Sequence, residues 1–383
     1  SAPKSTGNGK SITVSQAKNK LKSTRGADAA LRIYAASTSA DRDSFFFSTA
    51  VGYNQGLTVR RLALSNRFPE IESFLESHKS QPQVAAEGFV AALIRSYGSV
   101  GMIENAARTY EQMPEFGTPR TPLSFNALLN ACIHSKAPHR VAAYFAELPA
   151  KHGFSPNPIS YGILIKSHCQ AGNLGLALQT LNQMDQKGVE ITAVTFTTIL
   201  HELYTNNRIE EAENLWNETV SRKGFQPDVG CYNAKLSHLS RSGNPDDLKS
   251  VIGEMKGRGL EPDAISLNYL ISCHCLRGNV DAAVGVYDDL VRKRGMNPNA
   301  ATYRTLVFHL CERDRFLDGY RVFRRSVKAR KMPGFDALKR LLEGLAKRGH
   351  RDEAGAMVRV VRRKALPEEL AKAWDEVVEQ VEL

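Results

Sequence analysis

No stretch of this chain approaches the roughly 20 consecutive apolar residues that a bilayer-spanning helix needs, which argues against helical membrane insertion of its 383 residues. Phosphate-cradling glycine loops are missing too. The nearest candidate, Lys4-Ser-Thr-Gly-Asn-Gly-Lys10, has Lys4 where the Gly-x-x-x-x-Gly-Lys spacing needs its first glycine. There is no His-x-Glu with a downstream Cys-x-x-Cys, so zinc-deaminase chemistry is not encoded. Cys273-His274-Cys275 looks like a metal site, but residues two apart on a helix do not face each other, and no second pair follows at zinc-ligand spacing. No catalytic residue, metal ligand, cofactor or small-molecule substrate is expected, and the chain is read as a non-enzyme. Unpaired thiols fit a reducing compartment better than a secreted setting.

What the chain does have is a beat. Gly172, Asn207, Gly243, Gly278, Asp314 and Gly349 stand 35, 36, 35, 36 and 35 residues apart. Out of phase with them, Pro227, Pro262, Pro298 and Pro333 recur at 35, 36 and 35. Two independent punctuation marks on one period mean an array of equivalent units. A single core stops growing at roughly 250 to 300 residues, so a chain of this length is better served by a stack in which each unit buries its face against the next.

Aligning the two combs cuts blocks 122–157, 158–192, 193–228, 229–263, 264–299, 300–334 and 335–369. A good copy precedes them at 87–121, with weaker ones at 52–86 and 17–51, giving about ten units. Apolar spacing inside a block is helical. In 193–228, Phe196, Ile199, Leu200 and Leu203 form one stripe, Asn206-Asn207-Arg208 breaks it, and Ala212, Leu215, Trp216 and Val220 form a second. Each unit therefore reads as a helical hairpin. The Pro-Asp or Pro-Asn pair is expected to stop the second helix, with Asp or Asn capping the next one. Ala107, Ala142, Ala177, Ala212, Ala282, Gly319 and Ala354 are read as small residues that let neighbouring helices approach. Cys169, Cys275 and Cys311 share one position of their blocks, as expected of small core residues. His168, His274 and His309 share a helix-end position.

Blocks such as Ser160-Tyr-Gly-Ile-Leu-Ile-Lys-Ser-His-Cys-Gln-Ala-Gly-Asn-Leu174 and Thr302-Tyr-Arg-Thr-Leu306, with Gln226-Pro-Asp228 or Glu261-Pro-Asp263 between units, resemble the pentatricopeptide repeat of P-class proteins. The Trp-x-x-Leu-Gly-x-x-Tyr pattern of the related tetratricopeptide unit is absent. The resemblance implies an all-α fold, a right-handed α-solenoid superhelix whose first helices line the concave face. It also implies binding of single-stranded RNA one base per repeat, the base being read by the fifth and last residues of a block. Those pairs are Asn126 with Asn157 and Asn268 with Asn299, which by resemblance favour pyrimidines, Thr197 with Asp228 for guanine, and Asn233 with Asp263 for uracil. The family's base-sandwiching second residue is matched by Leu123, Ile159, Val194 and Ile265, and it fails at Gly230 and Ala301.

Other blocks offer no usable reader: Gly162 with Thr192, Arg304 with Gly334, Lys339, and Ala91. At about 1 to 3 kcal/mol per mismatch, four partly degenerate readers discriminate only weakly. Charge suggests what adds to them. The net charge is +11, and residues 320–364 alone hold 15 Lys and Arg against 4 acids. The first 25 residues add +6, the last 19 subtract 5, and residues 26–319 are close to neutral, so basic charge is expected at the two ends of the array rather than along its reading face. Arg324 with Arg359 and Lys328 with Arg363 repeat in register on second helices. With Arg325 and Arg362 they form a candidate ladder for the phosphates of folded RNA.

A short array with a broken code and one basic end resembles the small plant proteins integral to the mitochondrial ribosome. Segments 45–75 and 89–131 carry that resemblance. It implies ribosomal RNA and neighbouring ribosomal proteins as partners, most naturally in the small subunit. The alternatives are a free organellar factor on messenger RNA, acting in stability, processing or translation initiation, and a protein-interaction scaffold with no RNA role. Residues 1–25 lack acids and are rich in Ser and Thr, the composition expected beside an organelle targeting segment. A processed chain in the mitochondrial matrix is expected, with the plastid as the alternative. Residues 1–16 are expected to form a basic mobile arm, 17–121 degenerate repeats, 122–369 the main array, and 370–383 an amphipathic capping helix (Leu370, Trp374, Val377, Val378, Val381).

Overall fold

A computed structural model describes residues 12–38, 49–242, 244–293, 295–364 and 367–381, and regular structure among them is helical throughout. The chain divides into two compact units, residues 1–199 and 200–383. In the first, hairpins pair Val14–Ser23 with Ala27–Thr38, Thr49–Leu64 with Phe68–His78, Glu87–Gly98 with Ile103–Glu111, Pro122–His134 with His139–His152, and Pro158–Gln170 with Leu174–Gln186. In the second, Val229–Ser242 pairs with Pro245–Gly257, Ala264–Leu276 with Val280–Asp288, Ala300–Glu312 with Phe316–Lys328, and Phe335–Lys347 with Arg351–Arg362. Within each unit successive first helices pack on one another as well as on their own second helices. This is the repeat-on-repeat stacking of an α-solenoid.

The turn comb is a comb of left-handed residues. Gly101, Lys136, Gly172, Asn207, Gly278, Asp314 and Gly349 have φ between 56° and 82°. Gly243 lies outside the described residues. A residue in this conformation closes a helix by turning its amides back onto the last carbonyls, as where Asn173 N meets His168 O at 2.8 Å. The expected role of proline needs correction. Second helices end at another left-handed series, Gly153, Gly188, Gly224, Gly259, Gly295 and Arg330. Pro227, Pro262, Pro298 and Pro333 each come three residues after a member of it, in the linker. The alternation of 35 and 36 also has a physical source. Two of the longer blocks, 193–228 and 264–299, extend their second helices by π turns, Asn217–Arg222 and Asp289–Lys293. A third, 122–157, has a 14-residue second helix, His139–His152.

Packing shifts the small-residue register. Ala177, Ala212 and Ala354 are fully buried, yet Ala142 and Ala282 are exposed and Ala107 only half-buried. The buried place belongs instead to Ala106, Val141 and Ala283 in those blocks. A second-helix aromatic meets the fourth residue of the next block: Phe145 with Tyr161 at 5.0 Å, Trp216 with Tyr232 at 5.0 Å, and Tyr287 with Tyr303 at 6.2 Å, all edge to face. Such pairs add about 0.5–1.5 kcal/mol beyond burial. All six cysteines are buried thiols. Burial pushes Cys275 and Cys311 up to about 12, so neither is a ready nucleophile. Enclosure likewise lowers the pKa of His168, His274 and His309.

At the C-terminus Glu368–Gln380 packs on Phe335–Lys347 through buried Trp374, Val377 and Val378, whereas Leu370, expected on this apolar face, is exposed. At the other end the helix Val14–Ser23 begins inside the interval expected to be an arm. It is fixed by a capping box between Thr13 and Gln16. Residues 1–11 lie outside the described residues.

Candidate nucleic-acid interface

The last residue of a block is the N-cap of the next first helix, which fixes where its side chain sits. The opening amides of a helix have no internal acceptor, and Asn157, Asp263 and Asn299 supply one to the amides of Ser160, Ser266 and Thr302 at 2.8–3.0 Å. Asp228 does the same for Cys231 at 2.9 Å. The fifth residue lies one turn into its own first helix and reaches the cap of the following repeat. Asn126 Nδ2 donates to Asn157 Oδ1 at 3.1 Å, and Asn233 Nδ2 to Asp263 Oδ1 at 3.3 Å. A serine hydroxyl closes each network: Ser160 Oγ donates to Asn126 Oδ1 at 2.6 Å and Ser266 Oγ to Asn233 Oδ1 at 2.7 Å. The residue pairs picked out by the repeat frame are therefore in contact in two blocks.

These bonds dictate what each pair can offer a base. A cap must present oxygen to a backbone amide, so Asn157 points Oδ1 inward and leaves its Nδ2 to donate. Asn126 uses one Nδ2 hydrogen on Asn157 and keeps the other. The 122–157 pair thus presents donors, complementary to the acceptors N3 and O2 of cytosine. In the 229–263 pair, Asp263 receives its bonds on Oδ1 and retains Oδ2 as an acceptor beside the spare hydrogen of Asn233. That combination matches an edge with one donor and one acceptor, as in uracil. Asn268 and Asn299 differ, because Thr302 Oγ1 donates to Asn299 Oδ1 at 3.1 Å while Asn268 Oδ1 is buried without a partner. Thr197 is half-buried and Asp228 exposed.

Leu123, Ile159, Val194 and Ile265 are 48%, 57%, 77% and 45% exposed, unusual for large aliphatics and as required of side chains that receive a base face. Leu123, Asn126, Asn157 and Ile159 line one pocket of about 410 Å³ with Arg95, Asn130 and Thr121. Blocks without a reader have physical reasons for it. A Cβ on Gly162 would fall 2.7 Å from Thr195 Oγ1, and Lys339 lies 3.8 Å from Glu343.

One charge expectation changes. Of the six candidate phosphate contacts, Arg324, Lys328, Arg359 and Arg363 are exposed with no ion-pair partner among the described residues. Arg325 instead pairs with Asp288 at 3.3 Å and lies over the Tyr287 ring, and Arg362 pairs with Asp375 at 2.9 Å. Some cations on first helices lie inside the stretch that is neutral in sum. Arg60, Arg95 and Lys166 occupy the ninth position of blocks 52–86, 87–121 and 158–192, one turn beyond the reading position, and all three are exposed. The signal was in the sequence but lay hidden in a segment whose acids and bases cancel.

The sequence model of the PPR repeat family matches residues 156–205, 227–275 and 262–312, and that of the PPR repeat matches 91–118 and 194–223. The chain is 44% identical over 375 residues to the small ribosomal subunit protein mL103 (rPPR7) of Arabidopsis thaliana, covering 97% of this chain and 89% of that one. It is 42% identical over 373 residues to a mitochondrial pentatricopeptide repeat-containing protein of the same plant, covering 97% and 86%. Among solved structures, the crystal structure of the pentatricopeptide repeat protein PPR10 from maize superposes with a TM-score of 0.50 at 18% identity. That match spans 97% of this chain but 60% of that one, a likeness of fold.

Proposed function

The chain belongs to the pentatricopeptide repeat family, and from that premise we propose that it is a non-catalytic RNA-binding component of the mitochondrial ribosome, in the small subunit. The observation that carries this reading is the 44% identity, sustained over 97% of the chain, with a protein named for that subunit. The site chemistry agrees with it. Hydrogen-bonded pairs at Asn126–Asn157 and Asn233–Asp263, flanked by exposed Leu123, Ile159 and Ile265, hold single-stranded pyrimidines of ribosomal RNA. Thr197 with Asp228 and Asn268 with Asn299 extend the series, and Val194 flanks it. Arg324, Lys328, Arg359 and Arg363 dock phosphates of structured RNA from the second-helix side. So few reading pairs discriminate weakly, which suits a protein whose place is also set by RNA shape and by neighbouring ribosomal proteins.

The test is sedimentation of a mitochondrial extract on sucrose gradients with and without EDTA. The expected result is comigration with small-subunit RNA after dissociation, at near one copy per ribosome. Retention in light fractions under both conditions would contradict the reading and favour a free transcript-binding factor.

A further inference from the structure

An opening on the first-helix face of residues 1–199 lies in the repeats that carry no reading pair. It is a cavity of about 470 Å³ whose lining includes Tyr53, Gly56, Arg60, Gly88, Arg95 and Leu123. Its construction follows from the repeat frame. Tyr53, Gly88 and Leu123 are the second residues of three successive blocks, the position whose side chain walls off one base from the next. Gly88 supplies no wall, and a Cβ built there meets nothing within 4 Å, so two slots merge into one between Tyr53 and Leu123. The reading positions are blank as well, with Gly56 and Ala91 at the fifth place. The last residue, Thr121, is engaged by the Glu87 carboxylate at 2.9 Å.

What the slot does have is charge and an aromatic wall. Arg60 and Arg95 line it without an ion-pair or hydrogen-bond partner among the described residues, and no carboxylate joins them. Tyr53 is 46% exposed, with Lys18 Nζ 4.9 Å from its ring centre. Arg95 and Leu123 also line the 122–157 base pocket, so the slot continues directly into it.

We infer that this double-width slot is a sequence-blind seat for single-stranded RNA, in which two successive bases stack without a dividing side chain against Tyr53 while Arg60 and Arg95 hold the adjoining phosphates. The inference rests on the RNA-binding reading above and adds a site to it. Base stacking on an aromatic ring is tolerant of sequence, and phosphate contacts carry no sequence information. The seat therefore anchors the strand beside the pairs that read it.

The test uses the full chain and fluorescence anisotropy with oligo(U), oligo(C) and oligo(A) RNA across a salt series. Replacing both Arg60→Gln and Arg95→Gln is expected to weaken all three RNAs by the same factor and to flatten the slope of log affinity against log salt by about 1.4, near 0.7 per lost phosphate contact. Arg60→Lys with Arg95→Lys retains the slope. Tyr53→Ala is expected to lose about tenfold, again without sequence preference. Gly88→Leu fits open space on a helix, so it should fold at least as well by thermal melting, yet put back the dividing side chain, so that the loss on Tyr53→Ala shrinks. Unchanged binding and slope in these variants, with Asn126→Ala still weakening oligo(C), would overturn the seat while leaving the RNA-binding reading intact. Failure of the unaltered chain to bind any RNA would remove both. Displacement of polyglutamate, but not of RNA, by the Arg→Gln pair would assign the slot to an acidic protein segment and overturn the inference.

Discussion

The repeats 122–157 and 264–299 carry the same reading residues, an asparagine at the fifth place and another at the last, yet they are wired differently. In the first, Asn126, Asn157 and Ser160 form a closed network. In the second, the residue matching Ser160 is Thr302, whose single hydroxyl proton goes to Asn299, leaving Asn268 Oδ1 without a partner. A β-branched side chain has few χ1 choices, so one extra methyl group decides whether the reader is held before RNA arrives. A two-residue code thus describes only which groups are present. The third residue of the following repeat determines whether they are preorganised.

The largest expected effect comes from cutting each network at its cap. Asn157→Ala removes an N-cap and leaves the nearly buried Asn126 amide without its acceptor, so it should cost about 2–3 kcal/mol of stability, against about 1 kcal/mol for Asn299→Ala. Urea melts of the two variants check this, and equal losses would break the comparison. Next in size is the coupling itself. A double-mutant cycle between Asn126 and Ser160 should give about 1 kcal/mol, and the cycle between Asn268 and Thr302 a value near zero. The smallest effect sharpens the contrast: Thr302→Ser should supply the missing proton to Asn268 and tighten pyrimidine RNA by a few tenths of a kcal/mol. Ser160→Thr should loosen it by a similar amount, read by anisotropy on oligo(C).

Much of this architecture was legible because it repeats. Left-handed backbone at Gly172, Asn207, Gly278, Asp314 and Gly349 tolerates few residue types, so the turn comb survives in sequence. Caps such as Asn157 and Asp263 were legible for the same reason, since few side chains satisfy free amides. The end of the second helix was misread because proline is the conspicuous residue of the linker, while the residue that turns the chain, three positions earlier, is an ordinary glycine or, at 330, an arginine. The small-residue register slipped by one at Ala107 and Ala282 because adjacent alanines look alike until packing selects between them, and at Ala142 because the buried residue there is Val141, which is not small. Ion pairs between repeats, Arg325 with Asp288 and Arg362 with Asp375, depend on three-dimensional neighbours that a tally along the chain does not contain.

Photocrosslinking inside the assembled particle tests whether RNA occupies these faces, with a benzophenone side chain replacing Ile159 on the first-helix face and, separately, Arg359 on a second helix. Gradient-purified small subunits would be irradiated and the partner at each position identified. Ribosomal RNA is expected at both positions, single-stranded at Ile159 and structured at Arg359. Crosslinks to protein alone at Ile159 would contradict this, because the face that holds the Asn126–Asn157 network would then serve a polypeptide.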